Sequence, residues 1–418
     1  MKDFFVKDMS LAAQGKMNLE YAESQMGALA QVKKRFEREL PLKGIRVGMA
    51  LHVTKETGIL VRTLIAGGAE VAITGCNPLS TQDDVAAALA DEGVAVFAYK
   101  GETKEDYYKF LNAVLDFSPQ ATIDDGADLI TEIHTKRPEL LKQLIVGTEE
   151  TTTGIIRLRA MEKDNALKYP IMAVNDNKTK HLFDNYYGTG QSTLDGILRA
   201  TNVLFAGKTV VVAGYGDCGK GVALRSKGMG ADVIVTEVDP VCALQAYADG
   251  FMVRPMAQAA PLGDIFITVT GDKDVLVWDH MKLMKTGAIL ANSGHFNVEI
   301  DTVALEKNAK SKRRVRWQLD EYVLPNNRKI FLVGEGRLVN LASAEGHPSE
   351  VMDLSFCGQA LALEYGIKNK GKLKAGVHVL SPEVDASIAQ LKLDSLGIKM
   401  DELTAAQKDY LASWKEGT

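Results

Sequence analysis

Thr209-Val210-Val211-Val212-Ala213-Gly214-Tyr215-Gly216-Asp217-Cys218-Gly219 is the stretch whose reading decides the fold. Its first five residues form an apolar, largely β-branched run, short enough for a buried strand. The hexapeptide that follows is GxGxxG, and the pattern Gly219–Gly228 after it reads as a helix. A second strand is expected at Asp232–Thr236, with Glu237 at its end. Alone the hexapeptide is weak evidence, but strand, glycine turn, helix and terminal carboxylate together describe a dinucleotide site. Gly214, Gly216 and Gly219 permit a tight turn and a close backbone approach to a pyrophosphate, and Asp217 lies among them. Glu237 suits an adenosine ribose and would repel the extra phosphate of NADP, so the expected cofactor is NAD.

Working outward, the first third also alternates strand and helix. Strands are expected at Gly44–Leu51, Glu70–Thr74 and Val94–Tyr99, and helices at Lys55–Ala66 and Gln82–Asp91. Later strands are expected at Ile265–Val269 and Gly287–Ala291. This spacing implies parallel βαβ units. The fold class is α/β, with two doubly wound parallel-sheet domains, one a Rossmann NAD-binding domain, and a helical C-terminal tail. Residues 1–187 are expected to form a substrate-binding domain and 188–346 the NAD-binding domain. Residues 347–418 return to the substrate domain and add a helical segment for oligomerisation. The boundary is expected near Tyr186–Thr193, where Gly188-Thr189-Gly190-Gln191-Ser192 breaks both periodicities. Gly346–Pro348 is the expected second hinge.

Composition sets the outer limits. A chain of 418 residues suggests two or three domains. The net charge of −5 argues against nucleic acid as a partner, and the local run Lys312-Arg313-Arg314 reads as a solvated face. Cys76, Cys218, Cys242 and Cys357 are scattered, which indicates neither a metal site nor a disulfide framework and fits a reducing cytoplasm. No apolar run is long enough for a membrane span, and charges interrupt Met1–Asp8, so no signal segment is expected.

The chemistry must come from residues outside the glycine turn. Polar clusters stand where strands should end: His52–Thr57, Ser80–Asp83, Asp124–Asp128, Glu149–Gly154, Asn175-Asp176, Lys180, Asp184-Asn185, Gly294–Phe296, Glu335–Leu341 and Gly346–Pro348. Each alone also fits a turn or a helix cap. Taken in order, STQD, EETTTG, FDN, VVAGYGD, GHF and GRLVNL resemble the S-adenosylhomocysteine hydrolase family, from about Leu11 to about Gly397.

The resemblance implies reversible hydrolysis of S-adenosyl-L-homocysteine to adenosine and L-homocysteine. Family members hold NAD tightly, oxidise the ribose 3′-OH, lose the acidified C4′ proton, expel homocysteine, add water and restore the hydroxyl. This needs acid–base groups and a redox cofactor, with no metal and no nucleophilic serine. Lys180 and Asp184 then flank the 3′-OH, and a cationic nicotinamide is expected to push Lys180 toward its neutral form. Asp125 is the base or relay at C4′, and Glu150 holds the ribose hydroxyls. His52 and His295 handle the thiol and water at C5′. Thr54, Glu56, Thr57 and His347 bind substrate. Thr151, Thr152, Thr153, Asn185 and Asn340 join the glycine turn and Glu237 at the cofactor.

The sequence departs from the family at Thr189, where cysteine is common, at Asn297 for aspartate, at Asp84 for histidine and at Cys242 for asparagine. Many members carry a Lys and Tyr-bearing tail where this chain ends at Trp414–Thr418, as short archaeal-type members do. Some of those act on S-inosyl-L-homocysteine, which is the alternative substrate. A non-catalytic NAD-binding relative would have lost part of the catalytic set, and a 2-hydroxyacid dehydrogenase would not need EETTTG or FDN. The expected partners are a small nucleoside thioether and other copies of the chain, in a tetramer by resemblance.

Overall fold

The computed structural model describes residues 3–415; Glu416, Gly417 and Thr418, the last part of the tail discussed above, lie outside them. The strands in chain order are β1 (Phe5–Val6), β2 (Arg46–Ala50), β3 (Glu70–Thr74), β4 (Ala95–Ala98), β5 (Ala121–Asp124), β6 (Val146–Glu149), β7 (Pro170–Ala173) and β8 (Thr209–Ala213). They continue with β9 (Asp232–Thr236), β10 (Met252–Val253), β11 (Ile265–Thr268), β12 (Ala288–Asn292), β13 (Ser311–Arg316), β14 (Leu319–Val323), β15 (Lys329–Val333) and β16 (Gly376–His378).

Two eight-stranded sheets result, in the orders β1-β4-β3-β2-β5-β6-β7-β16 and β10-β9-β8-β11-β12-β15-β14-β13. The first is parallel throughout. In the second, β13 and β14 run antiparallel to their neighbours, a hairpin addition the sequence reading did not anticipate. The central strands are buried along nearly their whole length, as expected for parallel strands covered by helices on both faces. The basic run occupies β13, an edge strand. Its charges are matched there: Arg313 by Glu321, Arg314 by Asp320 and Glu335, and Lys312 by Glu306. Lysine and arginine on an edge strand also discourage pairing with another chain.

Each sheet reverses its direction of growth once. In the first, β2-β3-β4 grows one way and β5-β6-β7 the other, so the crevice lies between the ends of β2 and β5. In the second, β8-β9-β10 and β11-β12-β15 diverge from between β8 and β11. Ligands of open α/β sheets bind in such crevices, outside the carboxyl ends of the strands. His52 follows β2 and Asp125 follows β5, while the glycine turn follows β8.

The expected break near Tyr186–Thr193 is corrected. His181–Gly188 is a π-helical stretch that runs into the α-helix Thr189–Thr201 without interruption. The widened turn absorbs the irregular spacing, and π segments recur at functional sites. After Pro348 the chain returns to the first sheet. The helix Ser349–Lys368 buries Leu354, Phe356, Cys357, Ala360 and Leu363 in that core, and β16 pairs with β7. No helix among the described residues is long and apolar enough to cross a membrane.

Candidate active site

A cavity of about 890 Å³ lies between the two sheets. Its walls include His52, Thr54, Glu56, Thr57, Asp125, Glu150, Lys180, Asp184, Asn185, His295 and His347, together with Thr151–Thr153, Gly214, Gly216, Asp217, Glu237 and Asn340. Of the residues given a catalytic, substrate or cofactor role in the sequence, Gly219 alone does not line it; it serves the turn from behind.

The glycine turn shows three different reasons for glycine. Gly214 has φ +105°, a region side chains avoid. A β-carbon on Gly219 would lie 2.0 Å from the Gly214 carbonyl oxygen, so the helix Asp217–Gly228 packs against the strand only without one. A β-carbon on Gly216 would meet no protein atom and would occupy the cradle itself. Glu237 accepts from the Tyr215 N–H at 2.6 Å and from the Val238 and Asp239 N–H groups, which fixes the carboxylate beside the turn. Asp217 accepts from His181 at 2.9 Å and ties the turn to the π-helical segment. Farther in, Asn340 donates to Ser192 at 3.0 Å while its buried Oδ1 has no partner. A glycine cradle, a ribose-type carboxylate and an orphaned amide oxygen fit a dinucleotide with a carboxamide at its far end.

The acid–base groups form two clusters. In one, Lys180 donates to Asp184 at 3.2 Å and to Asn185 at 2.8 Å, and its Nζ lies 3.6 Å from Glu150 Oε1. Asn185 donates to Asn175, which also accepts from Thr152. Burial alone would lower the Lys180 pKa, but Asp184 and Glu150 outweigh it and hold the ammonium above the usual lysine range. The protein's own groups thus oppose the neutralisation expected from the cofactor's charge. Burial pushes the Glu150 carboxyl up, and its Oε1 is buried without a hydrogen-bond partner. Asp184, despite burial, is held low by Lys180, His347 and the Ser355 hydroxyl. His347 lies 3.3 Å from Asp184 and 3.4 Å from Thr189, so it belongs to this cluster as well as to the cavity wall.

In the other cluster Asp125 stands between two imidazoles, Oδ2 3.4 Å from His52 Nε2 and Oδ1 3.5 Å from His295 Nδ1. His295 comes from the second sheet, after β12, so this trio is assembled across the cleft. The carboxylate beside His295 is thus Asp125, while position 297, where the family commonly has aspartate, carries the neutral Asn297. Burial lowers the His52 pKa to about 4. His52, Cys76 and Asp125 bring nitrogen, sulfur and oxygen within 4.8 Å, a spacing compatible with a metal. Burial and the Asp125 charge raise the Cys76 thiol well above its usual range, which disfavours the thiolate a metal needs.

Thr54 caps the helix Lys55–Ala66, and the Thr57 hydroxyl donates to the His52 carbonyl at 2.6 Å. Glu56, 1% exposed, accepts from Ser349 at 2.6 Å and has Lys55 3.4 Å away, both on Oε1. Sequence reasoning placed the helix Ser349–Lys368 in the helical return segment but gave its polar residues no role. Its Ser349, Ser355 and Gln359 donate to Glu56, Asp184 and Glu150 respectively. The available signal was polar residues at helical spacing within a mostly apolar run. Glu149 was grouped with its neighbours but given no role. Buried, it accepts from the Gly126, Ala127 and Thr151 N–H groups and so joins the two loops that carry Asp125 and Glu150.

Two family models match the chain: "S-adenosyl-L-homocysteine hydrolase" over residues 3–146 and "S-adenosyl-L-homocysteine hydrolase, NAD binding domain" over residues 185–346. The S-inosyl-L-homocysteine hydrolase of Methanocaldococcus jannaschii is 60% identical over 413 residues, 99% of each chain. The adenosylhomocysteinases of Aquifex aeolicus and Sulfurisphaera tokodaii are 58% and 57% identical, each over the full length of both chains.

Proposed function

The chain belongs to the S-adenosyl-L-homocysteine hydrolase family, and we propose that its preferred substrate is the adenosyl thioether, cleaved to adenosine and L-homocysteine with NAD as the resident cofactor. Glu56 carries the choice of base. Its Oε1 is engaged by Ser349 and Lys55, while among the described residues no hydrogen bond reaches Oε2, and Glu56 lines the cavity. An ionised carboxylate only accepts hydrogen bonds, so it complements the N6 amino group of adenine and repels the O6 of hypoxanthine. Relatives carrying both names are similarly close, so identity does not favour either base.

When bound, NAD supplies the transient oxidation at ribose C3′ that acidifies the C4′ proton. The chain's residues do the rest. Lys180, backed by Asp184 and Asn185, exchanges the 3′-hydroxyl proton, and the free Oε1 of Glu150 accepts from a ribose hydroxyl. Asp125 takes the C4′ proton. His52 and His295, on its two sides, handle the departing thiol and the water at C5′. Asp125, Glu150, Lys180 and Asp184 are each at most 7% exposed, so bulk water has little access to the carbanion stage.

Residues 1–187 with 347–418 serve as the substrate domain and 188–346 as the cofactor domain. Exposed Leu182, Phe183 and Tyr187 support assembly into a homotetramer, and four unpaired cysteines suit the cytoplasm. The test is kinetic. Free thiol should appear without accumulation of NADH, and kcat/KM should favour the adenosyl over the inosyl thioether by roughly 5- to 150-fold, the equivalent of one unpaired buried polar group. An inosyl preference overturns the reading of Glu56; net NADH formation overturns the hydrolase.

A further inference from the structure

We propose that Glu102 and Arg337 receive the amino-acid head of the thioether, Glu102 taking its ammonium and Arg337 its carboxylate. This deepens the hydrolase reading and rests on it. Glu102 follows β4 and is 5% exposed, yet among the described residues neither of its carboxylate oxygens has a hydrogen-bond partner. The buried Thr81 hydroxyl beside it has none either. Both converge on Gly75, where a β-carbon would lie 3.2 Å from Thr81 Oγ1 and 3.6 Å from Glu102 Oε1. A buried carboxylate with no donor is costly, and such orphans in a native fold call for a missing partner.

The complementary charge comes from the opposite sheet. Arg337 follows β15, and among the described residues its guanidinium makes no hydrogen bond or ion pair. Arg337 and Glu102 each feel the other's charge without pairing, and burial pushes the Glu102 carboxyl up to about 8. An acid and a base, held apart and unpartnered, complement a zwitterion. An ammonium offers three donors and a carboxylate suits a guanidinium fork.

The position fits the substrate's length. Cys76, next to Gly75, has its sulfur 3.2 Å from the ring of His52, the group assigned to the C5′–S bond. In homocysteine four bonds separate sulfur from the ammonium nitrogen, a span of about 5 Å at ordinary bond lengths. The cluster thus gathers at Gly75, one residue from Cys76 in the loop that follows β3.

The experiment uses NAD-loaded enzyme in the condensation direction, joining adenosine to homocysteine or to 4-sulfanylbutanoate, which lacks only the amine. Glu102→Gln should raise the KM for homocysteine by roughly 10- to 150-fold, the value of a hydrogen bond to a charged group. The KM for 4-sulfanylbutanoate and the 3′-oxidation of free adenosine should stay within about twofold of wild type on the same scale. Arg337→Gln should raise the KM of both thiols, which tests the site even if the first variant folds poorly. An unchanged homocysteine KM in Glu102→Gln overturns the proposal, and so does an equal rise for both thiols, which marks a structural role. A wild-type enzyme that joins neither thiol overturns the hydrolase reading beneath it.

Discussion

Gly126 separates Asp125 from the helix Asp128–Lys136 and faces His295 across the cleft. A β-carbon there would lie 2.2 Å from His295 Nε2 and 2.9 Å from Cδ2. Ordinary carbon contacts need about 3.5 Å, so Gly126→Ala must drive the imidazole back by roughly 1 Å. The residue also has φ +103°, which costs an alanine about 1–3 kcal/mol. That strain is local, because Glu149 still grips the loop through the Gly126 and Ala127 N–H groups. A 1 Å misplacement costs about 100-fold in rate. Thioether cleavage should therefore fall by about two orders of magnitude while the fold persists. The oxidation half-reaction, proposed to use the Lys180 cluster, should survive. Mixing the variant with free adenosine and following nicotinamide absorbance separates the halves. Wild-type cleavage, or equal loss of both halves, would refute the assignment of His295 to C5′.

Lys180→Ala should abolish 3′-oxidation, a loss of about 10²–10⁴-fold for an acid–base group, in a variant that elutes and melts as a folded protein; wild-type turnover removes Lys180 from the mechanism. Apoenzyme reloaded with NADP should stay largely inactive, because Glu237 repels the added phosphate; equal activity with NAD and NADP would move Glu237 away from the ribose. His52, with a folded pKa of about 4 against an ordinary 6.5, binds its proton more readily in the unfolded chain. Its contribution to stability is complete above pH 6.5 and is lost as pH falls toward 4, about 3 kcal/mol in all. Denaturant titrations at pH 7 and pH 4.5 should show a smaller acid loss in His52→Asn than in wild type, and identical losses would refute the neutral imidazole.

Much of this was legible because the strands of a parallel sheet are continuous apolar runs that end in polar clusters. β2, β3, β8, β9, β11 and β12 each fall within about two residues of the expected span, the ordinary uncertainty of element ends. What escaped was non-local. Nothing in Ser355 or Gln359 reveals contact with Asp184 or Glu150, about 170 and 210 residues earlier in the chain. The glycine-rich run at Gly188–Gly190 looked like a break because glycine usually interrupts helices. Here Gly188 admits His347 and Gly190 admits the backbone of Gly221, so close packing outweighed propensity.

The helix Ser349–Lys368 has a mechanical consequence. From Ser349 to Gln359 it rises about 15 Å, and on that one rigid rod sit donors to Glu56, Asp184 and Glu150, the carboxylates proposed to read the base, flank the 3′-hydroxyl and hold the ribose. On the proposed assignment the rod acts as a ruler that sets purine and ribose at a fixed separation. A change at Glu56, which the first turn of the rod contacts through Ser349, leaves the graduations further along where they are. A scaffold of this kind can be re-addressed to another base without recalibrating its chemistry, in keeping with relatives of both names lying so close to this chain.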